Sequence, residues 1–381
     1  MTYKKSTLEH FVTEENKKYM QRAINLAQKG AGWVSPNPMV GAVIVKSGKT
    51  IDEGWHKKFG ENHAEINAII NAGESNVKGS TLYVTLEPCC IYGKTPPCTD
   101  AIIKFGIERV VIGTLDPNPK INGKGVEILK RNNIKVNVGI LEDEARRVNE
   151  FFIKFHKKRL PFIISKWAMG LDGSIATSKG ESKWISSKKS REYVHLIRSR
   201  VDAIIVGINT IIKDDPLLNV RLKKKKVRQP KRIILDSKLR IFLNARCLDL
   251  KNGGEVIIAT TVKNKISKIK KLEEKGATVI FVKSKGGKVD LRELLKILIH
   301  KNIISCLVEG GAQVHSTFFK ERLVDKVIVF IAPKILGGSK EFAPLKEFSI
   351  KKNADSIKLI NLQIKRFEDD ICYEGYVVRN S

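Results

Sequence analysis

The chain has 381 residues, 42% of them hydrophobic and 29% charged, and no run of 18 or more apolar residues occurs. That length exceeds what one hydrophobic core supports, so two globular domains are expected and a membrane span is not. The net charge of +30 invites a nucleic-acid reading, but residues 1–150 carry 21 Lys and Arg against 17 Asp and Glu (+4), while residues 151–381 carry 49 against 23 (+26).

In chain order, the first twelve residues hold two early lysines with no apolar run behind them, so neither a secretory signal nor a transit peptide is expected and the cytoplasm is the default location. Apolar periodicity predicts a helix from about Glu14 to Lys29, with Tyr19, Ala23, Ile24 and Ala27 on one stripe and Gly30 as its stop. Strands at 39–45 and 51–55 follow, joined by a Ser-Gly turn that suits a hairpin. A helix then begins at His63, followed by a strand at 81–87, a helix from Cys98, a strand at 109–113, a helix near 125–132 and a strand at 134–138. The charged stretch 142–159 reads as helical and ends at Pro161, the expected junction between a domain at 14–150 and one at 160–381.

Beyond the junction the alternation restarts. Strands are expected at 162–168, 203–207, 232–236, 255–260, 277–282, 303–309, 326–331 and 372–378, with helices near 187–200, 264–275 and 290–299 and another after Gly311. Both halves are therefore α/β, with helices covering a sheet. The Lys223–Lys226 run lies between turn-like segments and reads as an exposed loop.

Six cysteines in a chain of this length make no disulfide scaffold, and Cys89, Cys90 and Cys98 crowd into ten residues, which favours metal or catalytic use. Cys247, Cys306 and Cys372 are scattered and expected to be buried. His63 and Glu65 are two apart, so mid-helix they would point roughly 200° from each other. On a first turn, however, both can aim over the helix end, where unpaired N–H groups and the positive dipole end also lie. Cys89 and Cys98 supply the other half, with Cys98 opening the next helix. One His and two Cys give three ligands and leave a fourth tetrahedral position for water, the open arrangement of a catalytic zinc. Cys90 competes with Cys89 as a ligand; Cys89 is preferred because Pro88 precedes it, as in the zinc-deaminase signature H-x-E followed by P-C-x-x-C, whose last spacing is longer here. Glu65 is then a free carboxylate able to carry protons between water, ring nitrogen and leaving amine. One zinc per chain is expected.

The segments SPNPMVGAVIV (35–45), GENHAEINAI (60–69), TLEPCCIYGKTPPC (85–98) and DPNP (116–119) resemble the deaminase half of the bifunctional riboflavin-biosynthesis deaminase/reductases. KWAMGLDGSIATSKGESKWIS (166–186), VGINTIIKDDPLLNVR (206–221), ILDS (234–237), LVEGGAQVHS (307–316) and IAPKILGG (331–338) resemble their reductase half. The resemblance implies a cytidine-deaminase-like three-layer α/β/α domain followed by a dihydrofolate-reductase-like α/β domain. The first would remove the 2-amino group of a diaminopyrimidinone bearing a phosphoribosylamino group, and the second would reduce the ribosyl unit to ribityl with NADPH.

It further implies substrate contacts at Asn37 and Lys94, and in the second half at Ser182, Arg198, Leu218, Arg221 and Glu309, the two arginines being suited to a phosphate. Cofactor contacts are implied at Ala168, Trp184, Thr210, Asp214, Ser237 and Gly311. No GxGxxG occurs, so nicotinamide binding does not follow from a Rossmann fingerprint. What the residues offer is Glu309-Gly310-Gly311 between an apolar strand and a helix, where backbone N–H groups can meet a pyrophosphate. Three positions depart from the family pattern: Ile91 stands where a His is common, and Gly170 and Ser174 replace the usual Ser and basic residue around Leu171-Asp172-Gly173. A deaminase of RNA or free nucleosides would need its charge and stacking aromatics around residues 1–150, and neither is evident. A partner protein with structural zinc alone would not need Glu65. The expected partner is a phosphorylated pyrimidine, with no nucleic acid and no membrane; the resemblance leaves room for a homo-oligomer, a state the sequence does not set.

Overall fold

The computed structural model describes residues 13–222, 227–338 and 342–378, so the Lys223–Lys226 run lies outside the described residues. The chain divides into two compact units, Met1–Arg159 and Leu160–Ser381.

The first unit runs α1 (Glu14–Ala27), β1 (Gly41–Lys46), β2 (Lys49–Trp55), α2 (Ala64–Ala72), β3 (Thr81–Leu86), α3 (Cys98–Lys104), β4 (Arg109–Thr114), α4 (Lys124–Arg131), β5 (Lys135–Val138), α5 (Glu142–Val148) and α6 (Glu150–Lys158). Thr13 caps α1 by accepting the Asn16 N–H. The sheet order is β2-β1-β3-β4-β5, antiparallel through β3 and parallel from β3 to β5. Strand alternation explains the layering. Ala42, Ile44, Leu82, Val84, Val110 and Ile112 pack with Ala64, Ala68, Ile69, Ile102 and Leu129 of α2, α3 and α4. Val43, Val45, Tyr83 and Val111 meet the Tyr19, Met20, Ala23 and Ile24 stripe of α1. Both faces are covered, which makes three layers.

The stretch 142–159, read from the sequence as one helix, is two. Asn149 breaks it because its side-chain amide turns away to accept from Met39 N–H and donate to Met39 O, at 2.8 and 2.9 Å. A buried Asn with both groups satisfied outweighs one continuous turn of helix.

The second unit runs β6 (Phe162–Gly170), α7 (Lys188–Arg200), β7 (Ala203–Gly207), α8 (Ile208–Asp214), β8 (Lys231–Leu235), β9 (Val256–Thr260), α9 (Ile266–Glu274), β10 (Ala277–Phe281), β11 (Ser284–Lys285), β12 (Lys288–Val289), α10 (Leu291–His300), β13 (Ser305–Val308), α11 (Ala312–Lys320), β14 (Lys326–Ala332), β15 (Leu359–Phe367) and β16 (Asp370–Val377). Its nine-stranded sheet has the order β10-β9-β8-β7-β13-β6-β14-β16-β15, parallel as far as β14 and antiparallel over the last two ladders. One face packs Ile163, Ala203, Ile205, Ile233 and Ile257 against Leu294, Leu298 and Phe318 of α10 and α11. The other packs Ile204, Val206, Ile234 and Ile258 against Ile208, Ile211 and Leu272 of α8 and α9. Sequence patterning missed α8 and the edge strand β15. The helix is only seven residues long, and the strand, though Ile360, Leu362 and Ile364 alternate with polar residues, leaves those apolar side chains exposed at the sheet edge. The parallel strands share one carboxyl edge, where ligands of open α/β sheets bind, and the loops after β6, β7, β8 and β13 all emerge there.

The seating of α2 on β2 positions the first unit's chemistry. A Cβ on Gly54 would lie 2.4 Å from Ala68 N and 2.5 Å from Ala64 O, main-chain atoms that can yield only if the helix moves. Gly54→Ala should therefore cost about 1–3 kcal/mol by overpacking and displace the helix start. Lowered stability of this unit in urea unfolding, together with weakened retention of divalent metal, is the expected result.

Candidate functional site

His63 is the N-cap residue of α2, with extended backbone and no side-chain capping bond, so its imidazole is free to face outward. Glu65 follows on the first turn and is only 3% exposed. Cys98 is the first residue of α3 and is fully buried, while Cys89 sits in the loop after β3. The two helix mouths converge: His63 Nδ1 lies 3.3 Å from Cys98 Sγ and 3.5 Å from Cys89 Sγ, and Cys98 N–H donates to Cys89 Sγ at 3.3 Å. All three ligand atoms fall within 4.8 Å of one another. Ligands on a tetrahedral zinc with bonds of about 2.3 Å stand roughly 3.8 Å apart, so the donor set fits that ion.

The electrostatics agree with the geometry. Hydrogen bonds from the Cys98 side chain and main chain and from His63 favour the Cys89 thiolate, while the bond to Cys89 and then burial push the Cys98 thiol up. The bond to Cys89 raises the His63 pKa. Desolvation lifts the Glu65 carboxyl from 4.5 to about 7, against the pull of His63.

Asn37 reaches this site through a residue that sequence reading passed over. His56, 2% exposed, has Nδ1 3.0 Å from Asn62 O and Nε2 3.3 Å from Asn37 Nδ2, and its ring stands edge-on to His63 with centroids 5.3 Å apart. Asn62 O can only accept, so Nδ1 carries the hydrogen and Nε2 accepts from Asn37. Lys94 Nζ stands over the Phe59 ring at 4.1 Å, and Phe59, Ile91 and Tyr92 are exposed. Beneath the loop, Glu87 accepts from the N–H groups of Asp116, Gly123 and Val126, and desolvation raises the buried Asp116 carboxyl to about 7.

In the second unit the sequence-derived residues gather at the carboxyl edge of the sheet. Ala168 is on β6, Thr210 and Asp214 are on α8, Ser237 follows β8, and Glu309 and Gly311 follow β13, with Gly311 the N-cap residue of α11. Ser237 Oγ accepts the Val289 N–H. Trp184 is 63% exposed, with the Arg191 guanidinium 4.4 Å from its ring centroid, and Ser182 is half-buried two residues before it. Lys183 Nζ lies 3.7 Å from Asp214 Oδ1.

Arg198 differs from expectation. Its Nε and Nη2 each donate to Glu309 at 2.7 Å, so the edge suited to a phosphate is already engaged by a carboxylate. Leu218 is buried, and Arg221 Nη1 donates to Asn219 Oδ1. The structure also brings in two residues that the sequence reading did not single out. Lys166, on the same face of β6 as Ala168, has its pKa lowered by desolvation despite the nearby Glu309 carboxylate. His195 lies one turn before Arg198 on α7; its Nδ1 accepts the Arg221 N–H at 3.3 Å, and desolvation lowers its pKa to about 4. Period-two alternation and an i, i+3 spacing were the available signals.

Comparison with known proteins follows the same division. The family described as the cytidine and deoxycytidylate deaminase zinc-binding region matches residues 13–114, and that described as the RibD C-terminal domain matches residues 161–373. The riboflavin biosynthesis protein RibD of Aquifex aeolicus is 45% identical over 360 residues, 94% of this chain and 98% of its own length. That of Actinobacillus pleuropneumoniae is 39% identical, covering 97% of each. A solved structure of Acinetobacter baumannii RibD superposes with a TM-score of 0.86 at 36% identity, covering 96% of this chain and 99% of its own. The diaminohydroxyphosphoribosylaminopyrimidine deaminase/5-amino-6-(5-phosphoribosylamino)uracil reductase of Thermotoga maritima gives 0.82 at 39% identity, with the same coverage.

The Arg198–Glu309 pair has a definite pH signature. Burial alone would raise the Glu309 carboxyl, but Arg198, helped by Lys166, holds it at about 2 instead of 4.5. A depressed carboxyl contributes stability that is fully present above 4.5 and is lost as pH falls towards 2. The unfolding free energy of the second unit should therefore fall across that window. Glu309→Gln should remove this part of the slope in acid-unfolding curves while lowering stability at neutral pH.

Proposed function

The chain belongs to the RibD family of bifunctional riboflavin-biosynthesis deaminase/reductases, and from that premise we propose how its residues divide the work. It is both a hydrolase and an oxidoreductase: it deaminates 2,5-diamino-6-(5-phosphoribosylamino)pyrimidin-4-one and reduces the ribosyl group of the product, giving 5-amino-6-(5-phosphoribitylamino)uracil. The convergence of His63, Cys89, Cys98 and the buried Glu65 at two helix mouths is the observation that carries the deaminase assignment.

His63, Cys89 and Cys98 would hold one zinc per chain, which when bound acts as a Lewis acid and makes a nucleophile of water at neutral pH. Glu65 takes one proton from the attacking water and gives it to the ring nitrogen as the C–O bond forms. It then takes the second from the resulting hydroxyl and gives it to the amine, which leaves as ammonia as the C–N bond breaks and the carbonyl forms. A carboxyl near 7 can both accept and return a proton at neutral pH. Asn37, steered by His56, meets the pyrimidine, and Lys94 meets its phosphate.

In the reductase, NADPH when bound would supply the hydride. Ala168, Trp184, Thr210, Asp214, Ser237 and Gly311 would hold the cofactor, with Gly311 at the mouth of α11. Ser182, Leu218 and Arg221 hold the substrate together with the Arg198–Glu309 pair. Lys166, its charge disfavoured by burial, gives up a proton more readily than a solvated lysine would. The partner supported by these sites is a phosphorylated pyrimidine. Among the described residues no helix is long and apolar enough to cross a membrane.

Metal analysis should find about one zinc per chain, lost in the Cys89→Ala, Cys98→Ala double variant; zinc retained there would overturn the ligand set. Glu65→Gln should cut ammonia release by about two orders of magnitude or more, with NADPH-dependent reduction of the already deaminated compound unaffected. Ile91→His should leave zinc content unchanged and raise deaminase efficiency by returning a polar group to the exposed rim. An unaltered rate would show that another residue already fills that role.

A further inference from the structure

The segment Asp215–Arg221 is strained and tied down at almost every residue. Asp215 and Leu218 both have positive φ, +39° and +50°, a conformation unfavourable for a non-glycine residue that persists only where the surroundings over-determine it. The surroundings here do so. Asp215 Oδ1 accepts the Arg246 N–H at 2.8 Å, Asn219 O accepts from Arg198 Nη1 at 3.1 Å, and Val220 exchanges two hydrogen bonds with the Gln229 amide at 2.7 and 3.0 Å.

Beneath the segment lies Arg232, fully buried on β8. Its guanidinium reaches main-chain carbonyls: Leu217 O at 3.4 Å, Asp249 O at 3.0 Å and Gly254 O, which accepts from both Nε and Nη2. Loop 249–254 wraps it so closely that a Cβ on Gly253 would lie 2.5 Å from Arg232 Cζ. Asn219, 6% exposed, links that loop to the site. Its Nδ2 donates to Asn252 O at 2.6 Å while its Oδ1 accepts from Arg221 Nη1. The amide cannot rotate without losing both bonds, so the direction of the Arg221 guanidinium is set by a loop locked around a buried charge. His195 fixes the Arg221 main chain from the other side.

We propose that Asn219 is a positioning residue of the reductase: anchored on Asn252 in the loop held by Arg232, it aims Arg221 at the substrate's phosphate group. The inference rests on the reading of Arg221 as a substrate contact. It adds that affinity for the phosphorylated substrate depends on a residue that does not touch it. A preset guanidinium loses less freedom on binding, so the effect belongs in KM and not in the hydride step.

The test uses the full-length, zinc- and NADPH-loaded enzyme with 5-amino-6-(5-phosphoribosylamino)uracil and its dephosphorylated counterpart. Asn219→Ala should raise KM for the phosphorylated compound about tenfold, leave kcat and ammonia release unchanged, and leave KM for the dephosphorylated compound unchanged. In an Arg221→Ala background it should add nothing, because both variants remove one interaction. Asn219→Ser, which keeps a hydroxyl in the buried slot, carries the same expectation if the alanine variant does not fold. An equal loss on both compounds, additivity with Arg221→Ala, or no change in KM overturns the inference. If Arg221→Ala itself leaves KM for the phosphorylated compound unchanged, the reading of Arg221 fails and the inference falls with it. An effect of Arg221→Ala without one of Asn219→Ala overturns the inference alone.

Discussion

The first unit depends on how closely α2 lies against β2. Ligand atoms from a helix N-cap, a loop and the first residue of a second helix have to reach one point, and none of these elements can adjust independently. The main chain of α2 rests on Gly54, its apolar side packs into the sheet through Ala64 and Ala68, and its first turn then presents His63 and Glu65 to the sulfurs of Cys89 and Cys98. The same seating buries Glu65 and so raises its pKa, which means that backbone packing sets the protonation chemistry.

The second unit handles buried charge in two ways, and the contrast explains its layout. Arg198 and Glu309 neutralise each other with two hydrogen bonds of 2.7 Å, an arrangement in which the Coulomb attraction and hydrogen bonding offset desolvation. Arg232 reaches peptide carbonyls instead, so its burial is useful only if those carbonyls stay in place. One charge orders side chains at the carboxyl edge of the sheet; the other orders loops behind it. Loops that carry binding residues are ordinarily the mobile parts of a fold, and here a buried cation immobilises one.

Much of this could be read from the chain. The His63, Glu65, Cys89 and Cys98 spacing was legible because metal ligation restricts residue types and a helix start restricts where they point. The three-layer unit was legible because β1, β3 and β4 are near-continuous apolar runs, as strands buried on both faces must be, set between helical segments. His56 was not, since a lone histidine after a strand has no distinguishing neighbour and its partners, Asn37 and Asn62, are set by loop geometry. The break at Asn149 was hidden for the same reason: the group that competes with the helix, the Met39 backbone, lies 110 residues away in sequence.

Local chemistry written into the sequence therefore marked which residues could hold a metal and move protons, and most of the segments that would be strands and helices. Tertiary structure alone decided that Arg198 faces a carboxylate, that Lys166 shares its surroundings, and that Asn219 holds Arg221. The physical reason is range. Periodicity, capping and ligand spacing act over a few residues, whereas the partner of a buried polar group is whatever the packed chain brings within 3 Å, however distant in sequence.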